Sequence, residues 1–388
     1  MAKTTFKKKM VNGQEYYFYR LRHKNLNSPK DIYAKTVKEL KEKIAIKTKE
    51  LEHGITSNKD YFGDFLEKWL FNVKFIDLKP SSKERYESTY RIYLKDSSLS
   101  KIKLTDITSK DIQSFYNKIY KKHKSISKLR NIHKLIAPCI RYAYNNNLII
   151  KDFTSSIVFP KDNSVSADKE EKINPFTLEE QKQFIKAIKG HELEMLFLTA
   201  LNTGMRQGEL FALKWGDINF EEGYISVTKN MKRVCEVSEE GRGESSIVVQ
   251  TPKTKSSIRN IDIPVLFKNE LKQYKLKQTK DLFKLGIKVT NNTFVFLSPR
   301  NKHLAKTNVL KKFKKILKDN NIQDRKFHDL RHTYATRLFE LGESPKVVQT
   351  MLGHSNISIT LDTYTHVLEH TKKKAVDKLN DLYLSMRG

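Results

Sequence analysis

The sequence predicts a multidomain protein, mainly α with small β-sheets, and three observations carry that expectation. The chain has 388 residues, more than one ordinary core supports, so two or three domains are expected. Apolar residues alternate near the N-terminus and again between residues 224 and 263, and follow a helical period over most of the remainder. A polar, proline-bearing, aperiodic stretch, FPKDNSVSADKEEKI, reads as an interdomain linker between two structured regions.

Charge narrows the partner. Lys and Arg number 74 against 44 Asp and Glu, a formal +30. The excess runs along the whole chain, which makes phosphate, and hence nucleic acid, the expected partner. The two cysteines, Cys139 and Cys235, are far apart and lack C-x-x-C spacing, which argues against a disulfide framework or a thiolate metal site. The start, MAKTTFKKKMVNGQEYY, has no signal-peptide apolar run, and no stretch reaches the ~18 apolar residues of a membrane span. The expected setting is a reducing cytoplasm of bacterial type, without membrane association.

The first piece, residues 1–58, reads as a ββ(β)α module. Asn12-Gly13 tolerates the positive φ angles of a type I′ turn and joins two alternating runs into a hairpin. KDIYAKT offers a third strand. Thr36 opens T-V-K-E, a capping box with Glu39, and Val37, Leu40, Ile44 and Leu51 recur at helical spacing until His53-Gly54. This piece holds 14 Lys and Arg against 6 Asp and Glu, a net +8, so its sheet is expected to face DNA through Lys7, Lys8, Lys9, Arg20 and Arg22.

The second piece, residues 59–160, reads as a helical bundle. Phe62, Phe65, Leu66, Trp69 and Leu70 form one apolar stripe, Tyr86 and Tyr90 mark a second helix, and Ile112, Phe115 and Ile119 a third. A fourth runs from Ile126 through Leu129, Ile132, Leu135, Ile136 and Ile140 to the stop at 145–147. Opposite faces carry Lys83, Arg85, Lys128 and Arg130, suited to gripping phosphates. Residues 161–174 are the linker.

The third piece, residues 175–388, holds the chemistry. LEMLFLTALNTGMRQGELFALKW breaks an apolar helix at Thr203-Gly204 and restarts it with Arg206 near the new N-terminus. Glu209, three residues on, can hold that guanidinium rigid, and a rigid fork suits two phosphate oxygens. Strand-like runs follow at 224–229, 247–251 and 259–263, and TPKTKSSIR is expected to put Lys253 and Lys255 at a hairpin tip. HDLRH opens a helix on which His328 and Arg331 share a face. Ser344-Pro345 starts another helix that stops at Gly353-His354, and a last one from Ser358 or Thr360 presents Tyr364.

R-x-x-E after T-G, then Lys, then H-x-x-R, then L-G-H, and Tyr ten residues after that histidine, resemble in this order the catalytic domain of the tyrosine recombinases. TGMRQGEL, HDLRHTYAT and LGHSNISITLDTYTH are each family-like. The upstream layout resembles that of phage and mobile-element integrases, which place an arm-site-binding module and a helical core-binding domain before an α+β catalytic domain. The resemblance implies double-stranded DNA at core and arm sites as substrate, a homotetramer on DNA, and an excisionase and a DNA-bending protein as accessory partners. It prefers Lys253 to Lys255 as the catalytic lysine, because Lys253 stands in the family-like K-T-x-x-S-x-R context.

Chemistry argues the same way. Breaking a DNA phosphodiester needs a nucleophile, neutralisation of charge on the transferring phosphoryl group and a proton for the leaving oxygen. Tyr364 is the expected nucleophile, forming a 3′-phosphotyrosine and conserving the bond for religation with no nucleotide cofactor and no metal. Arg206 and Arg331 are expected to bind the non-bridging oxygens, Lys253 to protonate the 5′ oxygen, His328 to assist proton movement at the tyrosine, His354 to donate to a phosphate oxygen and Glu209 to support the geometry. Tyr334, among Leu330, Leu338 and Phe339, reads as a core aromatic rather than the nucleophile. A metal site from His328, His332, His354 and His366 lacks a carboxylate set. A non-catalytic DNA-binding regulator accounts for the charge but not for the ordered catalytic residues, and a type IB-like topoisomerase shares the chemistry but has no use for an arm-binding module. Past Tyr364, Ala375, Val376, Leu379, Leu382 and Leu384 form an apolar stripe that packs in cis or docks on a neighbouring protomer.

Overall fold

In a computed structural model of the chain, residues 6–26, 28–52, 60–160, 173–252, 255–364, 376, 379 and 383–386 are described. They fall into two units, Met1–Val165 with Val234–Ser246, and Ser166–Arg233 with Ile247–Gly388.

The first unit opens with the antiparallel sheet β1 (Lys7–Val11), β2 (Gln14–Leu21) and β3 (Lys30–Ala34). Asn12 and Gly13 both take positive φ, so Val11 pairs with Gln14 and the register runs to Lys7 opposite Phe18. Helix α1 (Val37–Glu52) starts where the Thr36 hydroxyl accepts from the Glu39 amide at 3.2 Å. Leu40 and Leu51 are buried, as are Leu21 and Ala34 of the sheet. The module is thus ββ(β)α with the third strand formed. The expected helix stop at His53-Gly54 lies outside the described residues.

Four helices follow, α2 (Phe62–Trp69), α3 (Pro80–Thr89), α4 (Ser109–His123) and α5 (Ile126–Asn145), the first two widening into π turns at Leu70–Lys74 and Tyr90–Leu94. Thr108 and Asp111 make a reciprocal capping box on α4, and Ser125 caps α5. One core takes Phe62, Leu66 and Leu70 with Leu129, Ile132, Leu135, Ile136 and Ile140, the stripes legible in the sequence. Val237 packs against this core, and Arg242 forms ion pairs with Glu84 and Glu87.

The second unit contains α6 (Leu178–Ile188), α7 (Glu194–Thr203), α8 (Gln207–Ala212), the strands β4 (Ile218–Asn219), β5 (Tyr224–Val227) and β8 (Arg259–Asp262), then α9 (Val265–Phe283), α10 (Lys306–Asp319), α11 (Asp329–Glu340) and α12 (Pro345–Leu352), while β6 (Asn230–Ser238) and β7 (Gly241–Gln250) start and end in it but have Val234–Ser246 in the first unit. Residues 357–364 are again helical. Phe184 meets Phe176, Phe197 and Phe313 at ring distances of 5.2–5.7 Å, a close-packed aromatic centre for the helices.

Strand pairing departs from expectation here. No hairpin joins 247–251 to 259–263: β7 pairs with β6, while β8 pairs with β5, Val227 opposite Arg259. The run 230–246 carries Lys, Arg, Glu and Ser, with Gly241 and Gly243 after the turn at Glu239-Glu240, too polar to read as strand, yet it supplies all of β6 and more than half of β7. Lys255 therefore sits in a short 3-10 turn, Lys255–Ser257, on a connection between two sheets rather than at a hairpin tip. Lys253 lies outside the described residues.

Candidate active site

The site grows from two glycine-ended helices and the start of a third. Gly204 ends α7 at φ +60°, and a Cβ there would come within 2.4 Å of the Tyr334 ring; only glycine turns the chain here. The next residues restart the helix, with Arg206 as N-cap of α8. Gly353 ends α12 at φ +68°, where a Cβ would lie 2.9 Å from both Arg259 Cδ and the Ser256 carbonyl oxygen. Between them α11 begins at His328-Asp329 and carries Arg331 and His332 inward.

Glu209 is the hub. It is 3 % exposed; its Oε2 accepts from the Arg206 backbone N–H at 2.9 Å and its Oε1 from Arg206 Nη1 at 2.9 Å. From the other side Arg259 donates through Nη2 to Oε2 at 3.0 Å and through Nη1 to Oε1 at 3.4 Å. Burial alone would raise this carboxyl's pKa, but Arg259 and then Arg206 outweigh it and hold the group below its ordinary range. Such a pair is strongly destabilising to break, by about 3–5 kcal/mol, because one partner is left as a buried, uncompensated charge. Arg259 also donates through Nε to the Met351 carbonyl at 2.8 Å and through Nη1 to the Ser257 carbonyl at 3.1 Å. One side chain thus ties the 251–258 connection to the end of α12.

Arg331, 2 % exposed, donates to the carbonyls of Gly204 at 2.8 Å and Leu352 at 2.7 Å, clamping the ends of α7 and α12 together. Burial and the neighbouring Arg206 and Arg259 push its pKa down, and it stays a cation at neutral pH. Three guanidinium groups, 206, 259 and 331, against one carboxylate, 209, leave two positive charges in excess. Of the three, Arg206 lines a cavity of about 300 Å³, together with Glu209, Asn230, Lys232, Ser257 and His354 among others. Arg206 also reaches the Gly353 carbonyl at 3.3 Å.

His354 follows Gly353, its Nδ1 2.9 Å from the Thr360 hydroxyl. Burial first, then Arg331, Arg206 and Arg259, push its pKa down to about 3, so the ring is a neutral imidazole. Tyr364 is 1 % exposed, packed with Phe339, Val348 and Leu352, and its hydroxyl lies 2.8 Å from His332 Nδ1. Burial raises the phenol's pKa well above its ordinary value, against the opposing pull of Arg331. Tyr334 is buried beside Met351, its hydroxyl 3.8 Å from the thioether sulfur, as a core aromatic should be. His328, by contrast with its helix neighbour Arg331, is exposed at the start of α11, its ring 4.8 Å from that of His332.

A family profile described as the phage integrase family matches residues 174–371, and one for the phage integrase N-terminal SAM-like domain matches residues 61–120. A tyrosine recombinase XerC-like protein of Caldanaerobacter subterraneus subsp. tengcongensis is 38 % identical over 397 aligned positions, covering 99 % of this chain and 100 % of that one. The chain belongs to the phage integrase family of tyrosine recombinases. The ICEBs1 integrase of Bacillus subtilis is 32 % identical over 209 positions, 53 % of each chain. Among solved structures, the Tn1549 transposon integrase in complex with transposon right end DNA shares the fold with a TM-score of 0.65 at 22 % identity, covering 82 % of this chain and 99 % of that one. A lambda integrase tetramer bound to a Holliday junction does so at a TM-score of 0.54 and 19 % identity, over 89 % and 92 %.

In this recombinase the basic residues read as DNA contacts occupy varied places. Lys7, Lys8 and Lys9 are exposed on β1, Lys8 paired with Glu15 at 2.7 Å. Arg20 is forked onto Asp31 at 2.7 and 3.0 Å, and Arg22 is exposed. Lys83 lies over the Phe75 ring and Arg85 over that of Tyr86, while Lys128 and Arg130 are exposed on α5. In the tail, Val376, Leu379 and Leu384 are exposed; Ala375, Leu382 and His366 lie outside the described residues. Among the described residues no helix is long and apolar enough to cross a membrane.

Three participants escaped the sequence reading. Arg259 was legible only as the last residue of K-T-x-x-S-x-R, Lys232 stood in a run not read as strand, and His332 was considered only as a metal ligand. The burial of His332 and His354 has a consequence for stability. His332, like His354, is depressed from 6.5 to about 3 by burial, then by His328 and Arg331. The unfolded chain therefore binds more protons than the folded one below about pH 6.5, so this contribution is complete above 6.5 and is lost as pH falls toward 3. Glu209, also depressed, acts with the same sign at lower pH. Thermal melts are expected to drop as pH falls from 7 to 5, with a shallower slope for the His332→Gln, His354→Gln double variant; equal slopes would show that the two rings are not held neutral.

Proposed function

We propose that the chain is a site-specific recombinase that cleaves and rejoins DNA strands through a 3′-phosphotyrosine on Tyr364, integrating and excising a mobile element or prophage. What carries the reading is the two-charge surplus of Arg206, Arg259 and Arg331 over Glu209, with Arg331 acting on the phenol of Tyr364. A phosphodiester carries one negative charge and gains more as the phosphorus becomes pentavalent, so a fixed cationic cradle stabilises the transition state more than the ground state.

The residues take the following parts. Arg206 and Arg331 hold the non-bridging oxygens, with Glu209 fixing the first and two backbone carbonyls fixing the second. His354, neutral and steadied by Thr360, donates one N–H to a phosphate oxygen. Lys253 protonates the 5′ oxygen, with Lys255 on the same connection contacting DNA. His328, exposed at the start of α11, is placed to meet DNA. The chemistry draws on no metal and no nucleotide, since the phosphotyrosine keeps the bond energy for religation.

Residues 1–58 act as the arm-site module, 59–160 as the core-site domain, 161–174 as linker and 175–388 as the catalytic domain with its tail. The named integrase relatives and the DNA-bound structural neighbours, a tetramer among them, support double-stranded DNA as substrate and a homotetramer as the working form; the setting is the cytoplasm. An excisionase and a DNA-bending protein are the accessory partners this layout calls for.

Tyr364→Phe is expected to bind a nicked duplex carrying the joint of the circularised element as tightly as the parent, yet to form no SDS-stable protein–DNA adduct without metal or ATP. An adduct from that variant would move the nucleophile elsewhere. The exposed Val376, Leu379 and Leu384 belong to a tail that docks on a neighbouring protomer. Truncation after Lys374 is expected to abolish four-protomer complexes on gel-shift analysis while leaving single-site binding; undiminished tetramers would eliminate the docking role.

A further inference from the structure

Two histidines one helical turn apart, His328 and His332, could serve the tyrosine, and the geometry separates them. His328 is exposed where α11 begins. His332 points into the unit, and its Nδ1 stands 2.8 Å from the Tyr364 hydroxyl, inside the 2.6–3.2 Å or so over which a proton can pass directly between heavy atoms. The two rings are 5.8 Å apart at 60°, and Tyr364 is further fixed by the Phe339 ring at 5.4 Å. A buried phenol with an imidazole nitrogen as neighbour loses its proton most readily to that nitrogen.

We propose that His332 accepts the proton of Tyr364 as the phenolic oxygen attacks phosphorus. The proposal rests on the reading of Tyr364 as nucleophile. In the cleavage step the Tyr364 O–H bond breaks and its proton passes to His332 Nδ1, with the ring's own hydrogen on Nε2. The phenolic oxygen forms the bond to phosphorus, the bond from phosphorus to the 5′ oxygen breaks, and that oxygen takes a proton from the general acid. Religation runs the same path backwards, and His332 returns the proton to the departing phenol oxygen.

The charges around His332 make this conditional on substrate. Burial first, then His328, Arg331, His354 and Lys326, oppose a proton on the ring, so without DNA the imidazole is a neutral acceptor with little basicity. A phosphodiester seated between Arg206 and Arg331 offsets those cations and raises the ring's basicity when the phosphate is in place. The phenol is thereby kept protonated until there is something to attack.

The test compares phenols of different acidity in the full chain, by placing either tyrosine or a fluorinated tyrosine of lower pKa at position 364 through nonsense suppression. Single-turnover adduct formation is followed on the nicked duplex of the element joint. His332→Gln keeps a hydrogen-bond acceptor but cannot take a proton, and His332→Ala serves as a second variant, with DNA binding by gel shift as the check on folding. With tyrosine, His332→Gln is expected to slow adduct formation by about 10²-fold, the lower end for a lost general base. With the fluorinated residue the loss should shrink to within several-fold, since a more acidic phenol needs less help, whereas the loss from His328→Gln should be the same with both. An equal loss from His332→Gln with either phenol, or rescue of His328→Gln instead, overturns the assignment. Failure of the nucleophile reading is distinguishable, because it appears as adduct formation by Tyr364→Phe whatever stands at 332.

Discussion

The carboxylate of Glu209 is the interaction on which the site depends. It accepts four hydrogen bonds, from the backbone and guanidinium of Arg206 and from both ends of Arg259's fork. A single buried anion thereby orients two cations whose own repulsion would otherwise drive them apart. The cost of burying it is met by Arg259 from within, which leaves Arg206 partly exposed and directed toward the cavity. A guanidinium held this way undergoes little rearrangement when a phosphate arrives, and this preorganisation gives electrostatic catalysis its size.

The same logic extends to the turns. Arg331 gives one donor from each Nη to the carbonyls of Gly204 and Leu352 at the ends of α7 and α12. Helix C-terminal carbonyls are unsatisfied within their own helix and carry partial negative charge, so a cation is well placed there. The glycines, the arginines and the carboxylate form one connected device, and Tyr364 lies against it through His332.

Much of this was legible in the sequence where side chains act close to where they sit in the chain. T-G followed by R-x-x-E encoded a helix break, a restart and the Arg206–Glu209 capping box, because all three are local. The apolar stripes of α2, α4 and α5 showed the bundle core for the same reason. What could not be read depends on residues far apart. Arg259 reaches Glu209 across fifty positions, and His332 meets Tyr364 across thirty-two. No periodicity carries such contacts. The β6–β7 ladder was missed because its residues are too polar for the alternating pattern, and that error put Lys255 on a hairpin that does not exist. His328 and Arg331, three apart, differ in burial, one exposed and the other buried, since α11 starts at the surface and enters the core within its first turn.

The central claim is that Glu209 serves catalysis by holding Arg206, and a double-mutant cycle on adduct formation tests it most directly. Glu209→Gln, Arg206→Ala and the double variant would be compared under single turnover with saturating protein, at a temperature where all remain folded. The account predicts that each single change slows the reaction strongly and that the double variant is no slower than Arg206→Ala alone. Fully additive losses would contradict it, because Glu209 would then act on the reaction by a route that does not pass through Arg206.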